Sequence, residues 1–196
     1  MRHSQGFSLI EVLVTIALTV VGVLGVLSLQ SKSIQYTTDA VNRNTAIALA
    51  DELIEIMREH RDDLFEKIPP IYPMYSEIKN TSVFYNAAGK LAFKAEDCND
   101  ETQTENAKEQ ASCWLKKAEE KLPGATEDDV RNQFKVCPSF IAGRCADSSY
   151  KGSNVEMQVA WRVRKGECME ATSEDISPEK TDLVGTVCTY TTRVEL

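Results

Sequence analysis

The first thirty residues decide the fold of this chain: MRHSQG (1–6) is followed by FSLIEVLVTIALTVVGVLGVLSL (7–29). The second stretch is almost wholly apolar and contains one carboxylate, Glu11. As a helix it would be about 34 Å long, which is enough to cross a bilayer. A secretory signal peptide has a shorter apolar core, followed by its cleavage site. We therefore expect residues 7–29 to be retained as a transmembrane helix.

Glu11 needs a physical reason, because a carboxylate inside a bilayer costs roughly 2.5–3.5 kcal/mol on insertion scales. In one interpretation it lies near the helix start, where headgroup water and the positive end of the helix dipole stabilise it. In the other it pairs with a cation, and the nearest candidate is a free α-amino group at Phe7. The residues alone leave both interpretations open.

The string Gly6-Phe7-Ser8-Leu9-Ile10-Glu11, followed by the apolar run, resembles the class III signal of type IV prepilins and type II secretion pseudopilins. The resemblance implies that a membrane-embedded prepilin peptidase cuts between Gly6 and Phe7 and then N-methylates Phe7. It also implies that Glu11 contacts the N-terminus of an adjacent subunit during assembly.

The helical pattern continues beyond the apolar run, because residues 30–67 contain neither proline nor glycine. Apolar or small residues recur at helical spacing and predict one buried stripe: Ala46, Ala50, Leu53, Met57 and Leu64. Pro69-Pro70 should end the helix, so we expect it to cover residues 7–67. Packing on the chain's own sheet is favoured over a free coiled coil, since no strict heptad is sustained.

The residues after Pro70 predict a soluble head with helices and strands. The expected elements are a hairpin around Asn86-Ala87-Ala88-Gly89, a helix over Asn106–Lys121 ended by Leu122-Pro123-Gly124, strands over Val155–Arg164 and Val184–Leu196, and a polar loop over Lys165–Asp182. We thus expect the α+β type IV pilin fold, in which a long N-terminal transmembrane and amphipathic helix packs on an antiparallel, disulfide-bonded sheet.

Four segments follow from these patterns. We expect a leader that is removed at 1–6 and a transmembrane, filament-core half of the helix at 7–29. An amphipathic half should occupy 30–68, and a soluble periplasmic α+β head domain 69–196.

All six cysteines lie in this head, and an even number outside the membrane predicts disulfides in an oxidising compartment. Zinc binding would need shorter cysteine spacings or nearby histidines, so we expect no metal. The preferred connectivity joins nearest neighbours, because two of the pairs bracket local structures: Cys98–Cys113, Cys137–Cys145 and Cys168–Cys188.

Other chemistries have little support in the sequence. The net charge of −8 argues against nucleic acid, because phosphate binding needs a basic surface. His60 lies among charged residues of the predicted helix, so we interpret it as a solvated surface residue. Acidic clusters at 96–101 and 127–129 lack calcium-loop spacing and are interpreted as solvated surface. We expect neither an enzyme nor a cofactor.

A second, sparser resemblance lies in the head, where four groups of residues are similar to one type of minor pilin: Cys113-Trp114-Leu115, Leu122-Pro123-Gly124, Val159-Ala160-Trp161-Arg162 and Cys168. It implies a subunit made in the bacterial inner membrane, surrounded there by lipid, with its head in the periplasm. The assembly platform would add it to a pilus tip beside the major pilin and other minor pilins, where it could present an adhesin. Two alternatives stay open: a type II secretion minor pseudopilin, and a signal-anchored periplasmic binding protein or enzyme.

Overall fold

The computed structural model describes residues 8–99, 105–147, 149–163, 168 and 185–196. The chain divides into two compact units, Met1–Thr38 and Asp39–Leu196. The predicted leader, with Gly6 and Phe7, lies outside the described residues. The four predicted segments therefore remain predictions.

Helix α1 (Leu9–Glu59) supplies the described part of the N-terminal unit and continues into the second unit. It begins at Ser8, whose carbonyl accepts hydrogen bonds from Glu11 N at 3.0 Å and Val12 N at 3.3 Å. In the second unit the predicted apolar stripe is confirmed, because Ala46, Leu53 and Met57 are all 0% exposed. Such a stripe is buried because residues at this spacing share one face of a helix.

The helix ends earlier than the predicted boundary at residue 67. His60 leaves the helical conformation (φ −109°, ψ 44°), and α2 (Arg61–Leu64) is a single turn. Strand β1 (Phe65–Lys67) then pairs antiparallel with β2 (Ser76–Ile78). The extended backbone buries Phe65, which is 1% exposed. The prediction was wrong here because burial and strand pairing outweigh local helix propensity.

The next helices follow the sequence signals closely. Helix α3 (Ala107–Lys121) begins at Asn106, whose side chain accepts from Lys108 N and Glu109 N, as a good N-cap does. It ends before Gly124, which has a φ of 72° that favours glycine. A short helix, α4 (Asp128–Arg131), comes next. The predicted helix and its stop signal are confirmed.

The main sheet has the order β3-β4-β5, with β3 Lys135–Pro138, β4 Asn154–Val163 and β5 Thr186–Glu195. Both neighbouring pairs are antiparallel, and Trp161 faces Cys188 across β4 and β5. Strands β4 and β5 confirm the two predicted strands. We did not predict β3 or the β1–β2 pair, since these strands are too short to show a clear alternation.

The predicted hairpin forms only in part, and the predicted polar loop is not tested. The turn around Asn86 forms, closed by Asn86 N to Lys90 O at 2.9 Å, but among the described residues it is flanked by the single bridge Tyr85–Leu91 and not by strands. The predicted polar loop, Lys165–Asp182, lies outside the described residues apart from Cys168.

Three disulfides fasten the head, and all of them join nearest neighbours: Cys98–Cys113, Cys137–Cys145 and Cys168–Cys188. The first joins a 3-10 turn (Ala95–Asp97) and its following residue to α3. The third fastens residue 168 to β5. With the long apolar helix and the antiparallel sheets, these bonds give a disulfide-bonded α+β chain. Its architecture matches the type IV pilin fold, as expected.

Candidate assembly segment and its head

The first part of α1 exposes a continuous apolar surface. Leu9 is 85% exposed and Leu29 is 73% exposed, and the large aliphatic side chains between them are exposed as well. By length and composition this helix can cross a membrane. So much exposed apolar surface points to a membrane or a partner helix as its natural surroundings.

The polar side chains of this surface are of two kinds. Thr15 donates its hydroxyl to Val12 O at 2.9 Å, and Thr19 donates back to Thr15 O and Ile16 O. These bonds let both hydroxyls lie in an apolar medium at little cost. Glu11 is the one ionisable side chain in residues 8–29, and it lies in the first turn of α1.

The position of Glu11 suits a carboxylate, because the first turn of a helix carries its positive dipole end. Its predicted pairing with the Phe7 amino group stays a prediction, since Phe7 lies outside the described residues. The same holds for cleavage after Gly6 and for methylation of Phe7.

Gly22 and Gly25 lie on the exposed part of α1. A Cβ atom built on either residue would meet nothing within 4 Å. No contact with the part of the chain that the structure describes therefore requires glycine at these positions, although glycine weakens a helix by about 1 kcal/mol relative to alanine. Small residues allow a second helix to approach closely, so these positions suit packing between subunits.

Two buried tryptophans attach the later part of α1 to the head. Trp114 donates its Nε1 proton to Leu49 O at 2.7 Å, and Trp161 donates to Asp39 Oδ1 at 3.4 Å. The Trp114 ring also meets Phe93 and Phe134 edge to face, with centroids 6.3 Å apart in each pair. Indole nitrogens in a core need such partners, so these bonds help to fix where the helix lies on the head.

The turn after α3 packs against strand β4. Arg162 N donates to Pro123 O at 2.7 Å. A Cβ on Gly124 would lie only 2.8 Å from Arg162 Cβ. The close approach of β4 to this turn therefore requires glycine at position 124. Three of the four groups of residues in the second resemblance thus belong to one packed unit made of α3, its turn and β4.

Arg162 also organises the acidic cluster at 127–129. Its guanidinium lies 2.9 Å from Glu127 Oε2 and 2.5 Å from Asp129 Oδ2. The hydrogen bond from Arg162 lowers the pKa of Asp129. This cluster was interpreted as solvated surface; both carboxylates are exposed, but they are ion-paired as well.

His60 is more buried than the solvated surface position that we predicted for it. It is half-buried, and its Nε2 lies 3.1 Å from Gln110 Oε1 of α3. Nearby, Lys117 of α3 pairs with Glu52 of α1 at 2.7 Å. His60 therefore contacts α3 directly after the end of α1 and is not simply a solvated surface residue. Within the described ranges, no three histidine, cysteine or acidic side chains are grouped as a metal site would require.

We did not expect a buried carboxylate in β4, yet Glu156 is 7% exposed and accepts a hydrogen bond from Gly143 N at 2.7 Å. The only signal in the sequence was a charged residue between two apolar ones, Val155 and Met157. Such a pattern is equally typical of a strand with one solvated face.

A comparison with protein families matches the prokaryotic N-terminal methylation motif to residues 1–27. These residues include the string that carries the first resemblance. Comparisons with curated proteins and with solved structures gave no match. The motif supports a type IV pilin-like protein, either a pilin or a pseudopilin, with a structural role. It also implies processing by a prepilin peptidase, and with the apolar helix it fits membrane anchoring and incorporation into a pilus.

Proposed function

We propose that this chain is a minor pilin of the PilV type, which primes type IV pilus assembly within a minor-pilin complex at the pilus tip. The observation that carries the proposal is the methylation motif at residues 1–27, placed on a helix whose apolar side chains are exposed. A subunit of this kind buries that helix first in the membrane and then among its neighbours.

In this proposal the peptidase cuts between Gly6 and Phe7, and Phe7 becomes the methylated N-terminus. Residues 7–29 form the filament core, 30–68 the amphipathic half of the helix, and 69–196 the periplasmic head. Glu11 binds the N-terminal ammonium of an adjacent subunit. An ion pair would offset the cost of placing either charge among apolar helices.

The head supports the minor-pilin assignment over that of a pseudopilin. The residues similar to PilV are not scattered, since Trp114, Gly124 and Arg162 belong to one packed unit made of α3, its turn and β4. Trp114 also attaches this unit to α1. Three disulfides add to the likeness. A type II secretion minor pseudopilin is the alternative, because the methylation motif serves both classes equally.

The partners follow from the same proposal. They are the prepilin peptidase, the inner-membrane assembly platform, other minor pilins, the major pilin and a tip adhesin. The subunit would wait in the inner membrane with its head in the periplasm and enter the pilus from there.

Mass spectrometry of the mature protein tests the processing step, and we expect an N-terminal methylated Phe7. An intact Met1, or a cut elsewhere, would contradict both the pilin and the pseudopilin assignment. Deleting the gene should then abolish or reduce surface pili. Loss of secreted exoproteins with normal pili would favour the pseudopilin instead.

Replacing Glu11 by Gln tests the assembly contact separately from processing. We expect a mature, methylated and membrane-bound subunit that no longer enters pili. Asp51→Asn is the matched control, because Asp51 is an exposed carboxylate further along the same helix. Equal incorporation of the Glu11→Gln and Asp51→Asn variants would contradict the role of Glu11.

A further inference from the structure

Among the described residues, strand β5 is one edge of the main sheet, since the strand order is β3-β4-β5. It pairs with β4 along its whole length, from Thr186 opposite Val163 to Glu195 opposite Asn154. The register advances by one residue at a time on both strands, so this pair contains no bulge. A long and regular edge presents a row of backbone donors and acceptors to a further strand.

The hydrogen bonds around β4 show which backbone groups of β5 form that row. Leu196 N donates to Ser153 O at 3.3 Å, whereas Asn154 O accepts from Ser139 N, on the β3 side of the sheet, at 3.0 Å. In an antiparallel pair, residues that exchange hydrogen bonds alternate with residues that do not. Counting back from Leu196, every second residue of β5 therefore directs its N–H and C=O groups away from β4: Val187, Thr189, Thr191, Arg193 and Glu195. We call these five residues the outward row.

The outward row lacks the usual protection of an edge strand. Apart from its ladder with β4, the backbone of β5 makes no hydrogen bond to the described part of the chain. Natural edges are commonly protected by lysine, proline or a bulge, and the strand sequence TVCTYTTRVE contains neither lysine nor proline. Its two charged side chains are engaged within the chain, since Arg193 Nη1 donates to Phe140 O at 2.7 Å and Glu195 Oε1 accepts from Ser153 Oγ at 3.0 Å.

The core-facing side of the sheet is also incomplete at β5. Val155 and Val159 of β4 are both 0% exposed, whereas Val194 and Tyr190, directly opposite them, are only half-buried. A further strand beside β5 would cover these two side chains with its own. The outward row has its side chains on the opposite side of the sheet, where most of them are exposed and polar.

The Cys168–Cys188 disulfide does not itself occupy this edge. Cys188 lies directly opposite Trp161, and the two residues are 5% and 3% exposed. The Cys188 side chain therefore belongs to the core-facing side of β5. Its backbone also belongs to the set that is bonded to β4, because it alternates with the outward row.

We propose that the outward row of β5 binds an extended segment of another subunit, which adds a fourth strand to the main sheet. The inference rests on the proposed function and names a contact for it. Main-chain hydrogen bonds would hold the segment, and its alternate side chains would give selectivity. The segment should carry apolar residues beside Tyr190 and Val194 and polar residues between them. A second copy would bring together two chains with a net charge of −8 each, so a different subunit is favoured.

Photo-crosslinking in the producing cells tests the contact with the full chain. Thr189, an exposed member of the outward row, is replaced by p-benzoylphenylalanine. Ile71, which is 83% exposed between β1 and β2, receives the same replacement as a control. We expect Thr189 to cross-link to a peptide with alternating apolar and polar residues from another protein that carries a prepilin signal. At Ile71 the yield of that product should be lower by about tenfold or more, as for a site outside the contact.

A proline substitution tests whether the backbone makes the contact. Thr191→Pro removes an N–H that points away from β4, a position at which edge strands tolerate proline. Thr191→Val is the matched control, because it also removes the hydroxyl that lies 3.4 Å from Gln158 Oε1 but keeps the N–H. Thr191→Pro should reduce the Thr189 cross-link by about threefold or more, as expected for one lost backbone hydrogen bond, and Thr191→Val should leave it unchanged. Equal yields from the two variants would contradict pairing through the backbone of β5.

The outcomes separate this inference from the proposed function. The fluorescence of the buried Trp114 and Trp161 shows whether each variant folds. If Thr191→Pro does not fold, the cross-link from Thr189 in the otherwise unchanged chain decides. If the chain is processed and found in pili, but Thr189 cross-links to nothing, to lipid, only within its own chain or only to a second copy, the strand-pairing inference fails alone. If Phe7 is never exposed and methylated, the proposed function fails, and this inference fails with it.

Discussion

Replacing Gly124 by Ala tests the packing of the α3 turn against β4. Gly124 has a φ of 72°, and a Cβ there would lie 2.8 Å from Arg162 Cβ. Gly143→Ala is a matched control, because Gly143 has a φ of 78° but a Cβ there would meet nothing within 4 Å. The two variants share the backbone strain and differ in the steric contact.

The backbone term is common to both variants. A left-handed conformation costs a residue with a side chain about 1–2 kcal/mol. Replacing glycine also restricts the unfolded chain, which returns about 0.4–1 kcal/mol. For Gly143→Ala we therefore expect a loss of about 1 kcal/mol in the free energy of unfolding.

The steric term applies to Gly124 alone. Carbon atoms pack best at about 3.5–4.0 Å, and Arg162 Cβ is attached to a strand and cannot move freely. Overpacking of this kind adds about 1–3 kcal/mol. Gly124→Ala should therefore lose about 2–4 kcal/mol, a large share of the stability of an ordinary domain.

Urea unfolding of the full chain in detergent micelles measures the difference. The two tryptophans of the chain, Trp114 and Trp161, are 2% and 3% exposed, so their fluorescence reports unfolding of the head. At about 2 kcal/mol per molar urea, the midpoint should fall by about 1–2 M for Gly124→Ala and by about 0.5 M for Gly143→Ala. Equal shifts in the two variants would refute the proposed contact with Arg162.

Three further predictions concern other parts of the chain. Glu156→Ala should remove the acceptor of Gly143 N and destabilise the loop 137–145, which the Cys137–Cys145 disulfide closes, by about 1–3 kcal/mol. The loss should be seen as faster hydrogen exchange at the Gly143 amide, with Glu156→Gln closer to wild type, and unchanged exchange would contradict the role of Glu156. Arg162 lowers the pKa of Asp129, so its stabilisation is present above the unfolded pKa and is lost as the pH falls through the folded pKa. The unfolding midpoint of the wild type should therefore fall more between about pH 5 and pH 3 than that of Asp129→Asn, and parallel pH profiles would argue against the ion pair. Gly22→Ala should stabilise α1 of the isolated subunit by up to about 1 kcal/mol, measured as a higher melting temperature of its helical circular dichroism signal. Under the proposed function a neighbouring helix packs at Gly22, so the same variant should enter pili less well. Normal incorporation would show that no close approach occurs at Gly22.

The second compact unit, Asp39–Leu196, shows how far periodicity can predict a fold. The stripe at Ala46, Leu53 and Met57, the helix after Asn106 and the strands β4 and β5 were all predicted, because each is long enough to repeat its period several times. The strand at Phe65–Lys67 was not predicted, because three residues carry no period and their local preference is helical. Its conformation depends on β2, which lies beyond a proline-rich turn.

The sequence by itself determined the N-terminal segment of this protein. A transmembrane-length apolar helix with one carboxylate is defined by its own composition, so residues 7–29 suffice to predict it. Only the tertiary structure decided which contacts fix the loops and turns of the head. Glu156 binds the backbone of the loop 137–145, and Arg162 leaves no room for a side chain at Gly124. Both contacts exist only because segments distant in sequence come together. Such contacts depend on register and packing, which no short stretch of sequence encodes.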